Sequence, residues 1–155
     1  MTLGSLLSEG QIVPELKAQG RWEAIAELVD ALVANGKIQP ADRDSVFEAI
    51  RQRELTVSTG IGFGIAIPHA SSACVEDVAA AFGRSTPGID FDAIDGQLAH
   101  CIVLFVVPKD QFQTHLRTLA AIAKFLNDPH VREALSKANS TKEILEVFQT
   151  RRPKN

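Results

Sequence analysis

The sequence predicts a single α/β domain with a central mixed β-sheet and helices on both faces, and three observations carry that prediction. The run Cys101-Ile-Val-Leu-Phe-Val-Val107 is apolar at every position, as a strand covered on both sides must be. Other segments repeat their apolar residues at helical spacing. The chain has 155 residues, of which 45% are hydrophobic and 23% charged, enough for one filled core and too ordered a composition for extended disorder.

Taken in order, residues 1–19 read as irregular, with a short apolar pair at Ile12-Val13 stopped by Pro14. From Arg21 to Asn35 the residues Trp22, Ile25, Leu28, Val29, Leu32 and Val33 recur at helical spacing, and Gly36 supplies the stop. A second helix opens at Pro40, where a missing N–H costs nothing, and runs to about Arg53 with Val46, Phe47 and Ile50 inward. Thr56 to Ala70 then places glycine at every second position, at Gly60, Gly62 and Gly64, before an Ile65-Ala-Ile67 strand. Val78 to Gly83 is expected as a strand and Gly88-Ile-Asp-Phe91 as a turn with a short extended piece. Pro108 is expected to end the central strand. His115 to Asn127 carries Leu116, Leu119, Ile122, Ala123 and Leu126 on one helical face. Asp128-Pro129 reads as a cap and first residue of a helix to about Lys137. Ser140 with Glu143 makes a capping box for a last helix ending near Thr150. The whole of 1–155 reads as one domain with a core over about 5–148, and the basic 151–155 as a flexible, solvated tail.

A net charge of −3 argues against nucleic acid as a partner, since phosphate-backbone binding needs a basic field. No apolar run is long enough to span a bilayer, and the N-terminus has no basic, cleavable leader. Cys74 and Cys101 form neither a CxxC pair nor a disulfide framework. A cytoplasmic protein with reduced thiols is expected, with no membrane insertion.

The glycine-rich stretch is the most informative segment. It is no Walker A loop, because no Gly-Lys-Ser/Thr follows, and no dinucleotide fingerprint, because it leads into a strand. Alternating glycines leave a bare backbone that can approach a phosphate or a partner, although the same glycines also suit a plain hairpin. His69 follows Pro68, which fixes its entry angle. Imidazole titrates near 6.5, so its neutral, nucleophilic form dominates at neutral pH. An imidazole that takes up phosphate needs cationic or N–H-donating neighbours, and Arg53 and His115 are the candidates. A metal site from His69, Cys74, His100 and Cys101 is a competing reading. Against it, His100 and Cys101 are adjacent on a strand and are expected to point to opposite faces.

Thr59-Gly-Ile-Gly-Phe-Gly-Ile-Ala-Ile-Pro-His69 resembles the active-site signature of enzyme IIA domains of the phosphoenolpyruvate-dependent phosphotransferase system, mannitol/fructose type, which includes the nitrogen-regulatory IIA proteins. Ala49-Ile-Arg-Gln-Arg-Glu54, Gly88-Ile-Asp-Phe-Asp-Ala-Ile-Asp-Gly96 and Leu104 to Leu119 are similar to the flanking blocks of that family. The resemblance implies that His69 is phosphorylated, that His115 orients and stabilises the phosphoryl group, and that Arg53 binds it. Ser58 and Thr114 are added as hydroxyl donors. It implies HPr, or its nitrogen-branch equivalent, as phosphoryl donor, docking on an apolar rim with Ile61, Phe63 and Ile65. The acceptor is a IIB domain in a sugar-specific member, or a regulatory target protein in a nitrogen-type member. Chain length fits the nitrogen-regulatory reading, whereas Ala70-Ser71 stands where many nitrogen-type members have Gly-Lys. The scheme requires no metal and no cofactor. It leaves open which ring nitrogen of His69 is used.

Overall fold

In a computed structural model, which describes residues 3–150, the chain forms strand Ile12–Val13 (β1), helices Arg21–Ala34 (α1) and Arg43–Thr56 (α2), and strands Gly60–Gly62 (β2), Ile65–Ala66 (β3) and His69–Ser72 (β4). The long strands Ala79–Ile89 (β5) and Ala99–Pro108 (β6) follow, then helices Leu116–Asn127 (α3), Pro129–Lys137 (α4) and Thr141–Thr150 (α5). The expected tail at 151–155 lies outside the described residues.

The strands make one six-stranded mixed sheet in the order β1-β5-β6-β3-β2, with β4 also pairing with β6. β6 is its centre: β5 lies antiparallel on one side, and β3 and β4 lie parallel on the other. Its side chains alternate between two cores. Ile102, Leu104 and Val106 face a core built with α1 and α2, while Val103, Phe105 and Val107 face one built with α3, α4 and α5. That is the physical meaning of a run apolar at every position.

β3 and β4 keep one register against β6 (Ile65 with Cys101, Ala66 with Ile102, His69 with Phe105), so they are one extended segment interrupted at Ile67-Pro68. Pro68 has no N–H to give a ladder, but its carbonyl still accepts from the Phe105 amide at 3.0 Å. His69 therefore enters β4 at a fixed position against the central strand.

Several expectations are corrected. The N-terminal segment is more ordered than it reads: 3-10 turns at Leu3–Leu6 and Glu9–Gln11 lead into β1, which pairs in parallel with β5 at the sheet edge. Pro40 opens a 3-10 turn, Pro40–Asp42, ahead of α2, and α2 runs on to Thr56. Phe47 is only half-buried, under Arg43, while Glu54 takes the inward position one turn after Ile50. β5 continues through Gly88 to Ile89, where a turn is expected, because Gly88 adopts φ 88° without leaving the strand. Pro108 ends β6 as expected, as its last residue and opposite Ser72. The caps at Asp128 and Ser140 are present, accepting from the amides of His130 and Glu143 at 2.9 and 3.1 Å.

Candidate functional site

His69 is half-buried on the α3 side of the sheet. Its Nδ1 lies 2.7 Å from the carbonyl oxygen of Ile67. A carbonyl only accepts, so Nδ1 carries the proton and Nε2 keeps its lone pair. Burial pushes the imidazole below its ordinary 6.5; the bond to Ile67 works against this, the Arg53 charge adds to it, and Glu54 opposes it. The ring is thus neutral at neutral pH, with one nucleophilic nitrogen of defined identity.

His69 lines a cavity of about 280 Å³ with Arg53, Val57, Ser58, Ile61 and Leu116 among its walls. Arg53 closes the last turn of α2, and its guanidinium has no ion-pair partner among the described residues. A cation at a helix C-terminus is favourably placed by the helix dipole and remains free to meet an anion. Arg53 also borders a shallower hollow beside Ala70, Ser71 and Phe112, so it stands between the two openings next to His69.

His115 is the N-cap residue of α3, one position before Leu116 of the cavity wall. Its ring packs edge-on against Phe105, 6.4 Å between centroids, and Phe105 is the ladder partner of His69. Phe112 stacks on His69 at 6.1 Å. His115 thus packs on the ladder partner of His69, while His69 itself stacks on Phe112. The Nε2 of His115 is 3.3 Å from Gln111 Oε1.

The two hydroxyl candidates differ in placement. Ser58 lines the cavity, but its hydroxyl donates to the Phe91 carbonyl and accepts from the Gly60 amide, which fixes the start of the glycine hairpin. Thr114 is exposed in the turn before α3 and does not line the cavity. The apolar rim is also redrawn. Val57 and Phe63 are each 60% exposed and Ile61 and Leu116 each 40%, whereas Ile65 is 1% exposed and faces the core. The turn at Phe63-Gly64 resets the alternation between Phe63 and Ile65.

Glu54 and the Ile67 carbonyl escape a reading by residue type. The Glu54 side chain is fully buried, accepts from the amide and hydroxyl of Thr59, and pairs with Arg21 at 3.5 Å. The signal that finds it is spacing: Val46, Ile50 and Glu54 recur every four residues on the buried stripe of α2.

Among the described residues no three His, Cys, Asp or Glu side chains gather as a metal site. Cys74 sits on the α2 side against Ser45, and Cys101 is buried, its thiol pushed up to about 11 by burial. His100 and Cys101 do not point to opposite faces, however. Both amides donate to the Gly64 carbonyl, at 2.8 and 3.0 Å, the ladder to β5 shifts register between Arg84 and Ile89, and both residues line one cavity. No helix among the described residues is long and apolar enough to cross a membrane.

Comparison with known proteins agrees with this architecture. Residues 5–150 match the family described as "Phosphoenolpyruvate-dependent sugar phosphotransferase system, EIIA 2". The chain is 38% identical over 152 aligned positions to a nitrogen regulatory protein of Escherichia coli (strain K12), covering 96% of this chain and 90% of that one. It is 37% identical over 148 residues to the fructose-specific EIIABC component of Bacillus subtilis (strain 168), covering 96% of this chain but spanning only 23% of that longer protein. The solved structure of the nitrogen regulatory protein IIA-Ntr from Neisseria meningitidis superposes with a TM-score of 0.83 at 30% identity, over 94% of this chain and 97% of that one. A half-buried neutral histidine on a glycine-hairpin ledge, beside an unpaired arginine, thus sits in a fold shared end to end with phosphotransfer proteins, and the chain belongs to the EIIA 2 family of the phosphoenolpyruvate-dependent sugar phosphotransferase system.

Proposed function

We propose that the chain is a phosphohistidine carrier: Nε2 of His69 accepts a phosphoryl group from the phosphohistidine of HPr, or of its nitrogen-branch equivalent, and passes it on. The observation that carries this reading is the bond from His69 Nδ1 to the Ile67 carbonyl, which leaves Nε2 as the sole nitrogen with a free lone pair. In the transfer a P–N bond forms at Nε2 while the donor's P–N bond breaks, and the donor imidazole leaves with that electron pair. Such a reaction asks the protein for in-line positioning and charge stabilisation rather than for covalent chemistry of its own. Arg53 meets the incoming charge, and His115, at the N-terminus of α3, supports it. Ser58 acts by holding the hairpin, and Thr114 is within the loop that a docking partner meets. The exposed rim of Val57, Ile61, Phe63 and Leu116 is the docking surface for the donor.

The acceptor is a regulatory target protein or a IIB domain. The likeness to IIA-Ntr over almost the whole of both chains supports the regulatory reading, and the fructose-specific relative supports the other. Incubation with phosphoenolpyruvate, enzyme I and HPr, followed by intact mass, tests the carrier reading. The wild type gains one acid-labile phosphoryl group and His69→Ala gains none; labelling that persists in His69→Ala sinks it. His115→Ala is expected to slow transfer while keeping the thermal transition, and a collapsed transition would assign that residue a structural role. Transfer from the labelled chain to a purified fructose IIB domain, or retention of the label, separates the two acceptors.

A further inference from the structure

The partners of the Thr59 and Ile67 backbone groups reveal how the reactive nitrogen of His69 is chosen. β2 and β3 are antiparallel with Gly60 opposite Ala66, so the next pair along the ladder is Thr59 opposite Ile67. In such a pair each amide donates to the other's carbonyl. Half of this exchange is made: the Ile67 amide donates to the Thr59 carbonyl at 3.0 Å. The other half is not, because the Thr59 amide donates to Glu54 Oε2 at 3.1 Å. The Ile67 carbonyl, relieved of its ladder donor, takes the His69 Nδ1–H instead. Each buried backbone group has a partner, but the partners have been exchanged by one carboxylate.

We infer that Glu54 is a positioning residue for phosphoryl transfer: by capturing the Thr59 amide it reserves the Ile67 carbonyl for His69 and so fixes the imidazole as the Nδ1–H tautomer with Nε2 nucleophilic. This rests on the phosphohistidine reading for its consequence, but the tautomer itself is observable without any transfer. Glu54→Asp keeps the charge opposite Arg21 and withdraws its reach; Glu54→Gln keeps the reach and an accepting oxygen. Long-range proton–nitrogen spectra of the full chain are expected to show Nδ1–H in the wild type and in Glu54→Gln, and a mixture of tautomers in Glu54→Asp. Phosphoryl acceptance falls by about tenfold or more in Glu54→Asp and is largely rescued in Glu54→Gln. An unchanged His69 tautomer in Glu54→Asp and in Glu54→Ala overturns the inference, whatever the transfer assay gives. Loss of transfer with His69→Ala still labelled would instead refute the carrier reading.

A second cavity supports an independent proposal. Where the β5–β6 ladder shifts register, about 310 Å³ opens between β5, β6, the hairpin tip and α4, lined by Arg84, His100, Cys101, Arg132 and Ser136. The two guanidiniums form no ion pair among the described residues. Arg84 is anchored by the carbonyls of Pro14, Leu135 and Ala138, and Arg132 by that of Leu126, with the Phe63 ring 5.6 Å beneath it. His100 bonds Ser85 through Nδ1, leaving Nε2 open. No carboxylate lines the cavity; Glu15, on which the Arg84 charge acts, is held by the amide and hydroxyl of Thr86. Partly buried, anchored cations that no carboxylate pairs directly are a preorganised anion site.

The geometry points to a binding site for a small phosphate monoester, its dianion between Arg84 and Arg132 and its body in a cavity of ligand size. Titration of the nitrogen-labelled chain with glycerol 3-phosphate at constant ionic strength tests it. Saturable shifts are expected at the amides of Gly64, Cys101 and Arg132, with a dissociation constant of about 1 mM or tighter. Arg132→Gln weakens binding about tenfold, and Ser136→Glu does so by charge alone at an exposed position. Arg53→Gln leaves it intact. Shifts confined to the surroundings of His69, equal shifts with sodium chloride, equal binding of inorganic phosphate, or no loss in Ser136→Glu each overturn the assignment.

Discussion

At the scale of single residues, the reactivity of His69 is set by burial and by two neighbours of opposite sign. Burial and Arg53 lower its pKa, and the Ile67 bond and Glu54 raise it, with burial the largest influence. The neutral ring therefore persists below pH 6.5, and phosphoryl acceptance is expected to hold its rate into mildly acid solution. Arg53→Gln removes one lowering influence, so the His69 titration followed by ring-proton NMR moves upward in that variant; a downward move would contradict the assignment. Stability follows the same linkage. Because the native ring binds a proton less readily than the unfolded one, stability is fully present above about pH 6.5 and declines as pH falls from there to the native pKa. A denaturation series across this window, compared with His69→Gln, isolates the contribution.

At the scale of elements, the glycine hairpin holds its shape under backbone strain. Gly62, Phe63 and Gly64 all have positive φ, at 92°, 57° and 79°. Glycine accepts this freely, and phenylalanine does not. The Phe63 amide is held by Asp95 Oδ2 at 3.0 Å, and its ring stays 60% exposed. Phe63→Asn is therefore expected to raise stability by about 0.5–1 kcal/mol in urea unfolding while slowing transfer from the donor, the pattern of a residue kept for docking. A loss of stability would show that the Arg132 stacking outweighs the strain. The elements also differ in how readable they are. The helices α3, α4 and α5 were legible from spacing and caps, and β6 from its unbroken apolar run. β1 and β4 were not, because two to four residues are too few to show a period, and their pairing is decided by β5 and β6 far along the chain. His69, Arg53 and His115 were singled out by type and motif, and His69 and Arg53 line one cavity. Glu54 was hidden because a glutamate near a helix end reads as solvated unless the four-residue stripe is followed one turn further. The joint placement of His100 and Cys101 was hidden because a register shift leaves no mark in local composition.

At the scale of the whole molecule, two cores share one sheet. Ile25 is fully buried against α2 and the sheet on one side, and Ile144 with Phe82, Phe125 and Phe148 on the other. Ile25→Val and Ile144→Val are each expected to cost about 1 kcal/mol, since each removes one methylene from a filled site. The residues lie in separate clusters, so the double variant is expected to lose the sum to within about 0.5 kcal/mol in one cooperative transition. Two separated transitions would mean that the layers unfold independently. The central place of β6 has a further consequence for synthesis on the ribosome. β3 and β4 have their parallel partner only in residues 99–108, and β5 has its long antiparallel partner there too. Until Pro108 emerges, the nascent chain carries His69 on an unpaired segment. Sheet closure, and with it the setting of His69, therefore waits for residues 99–108 to be made.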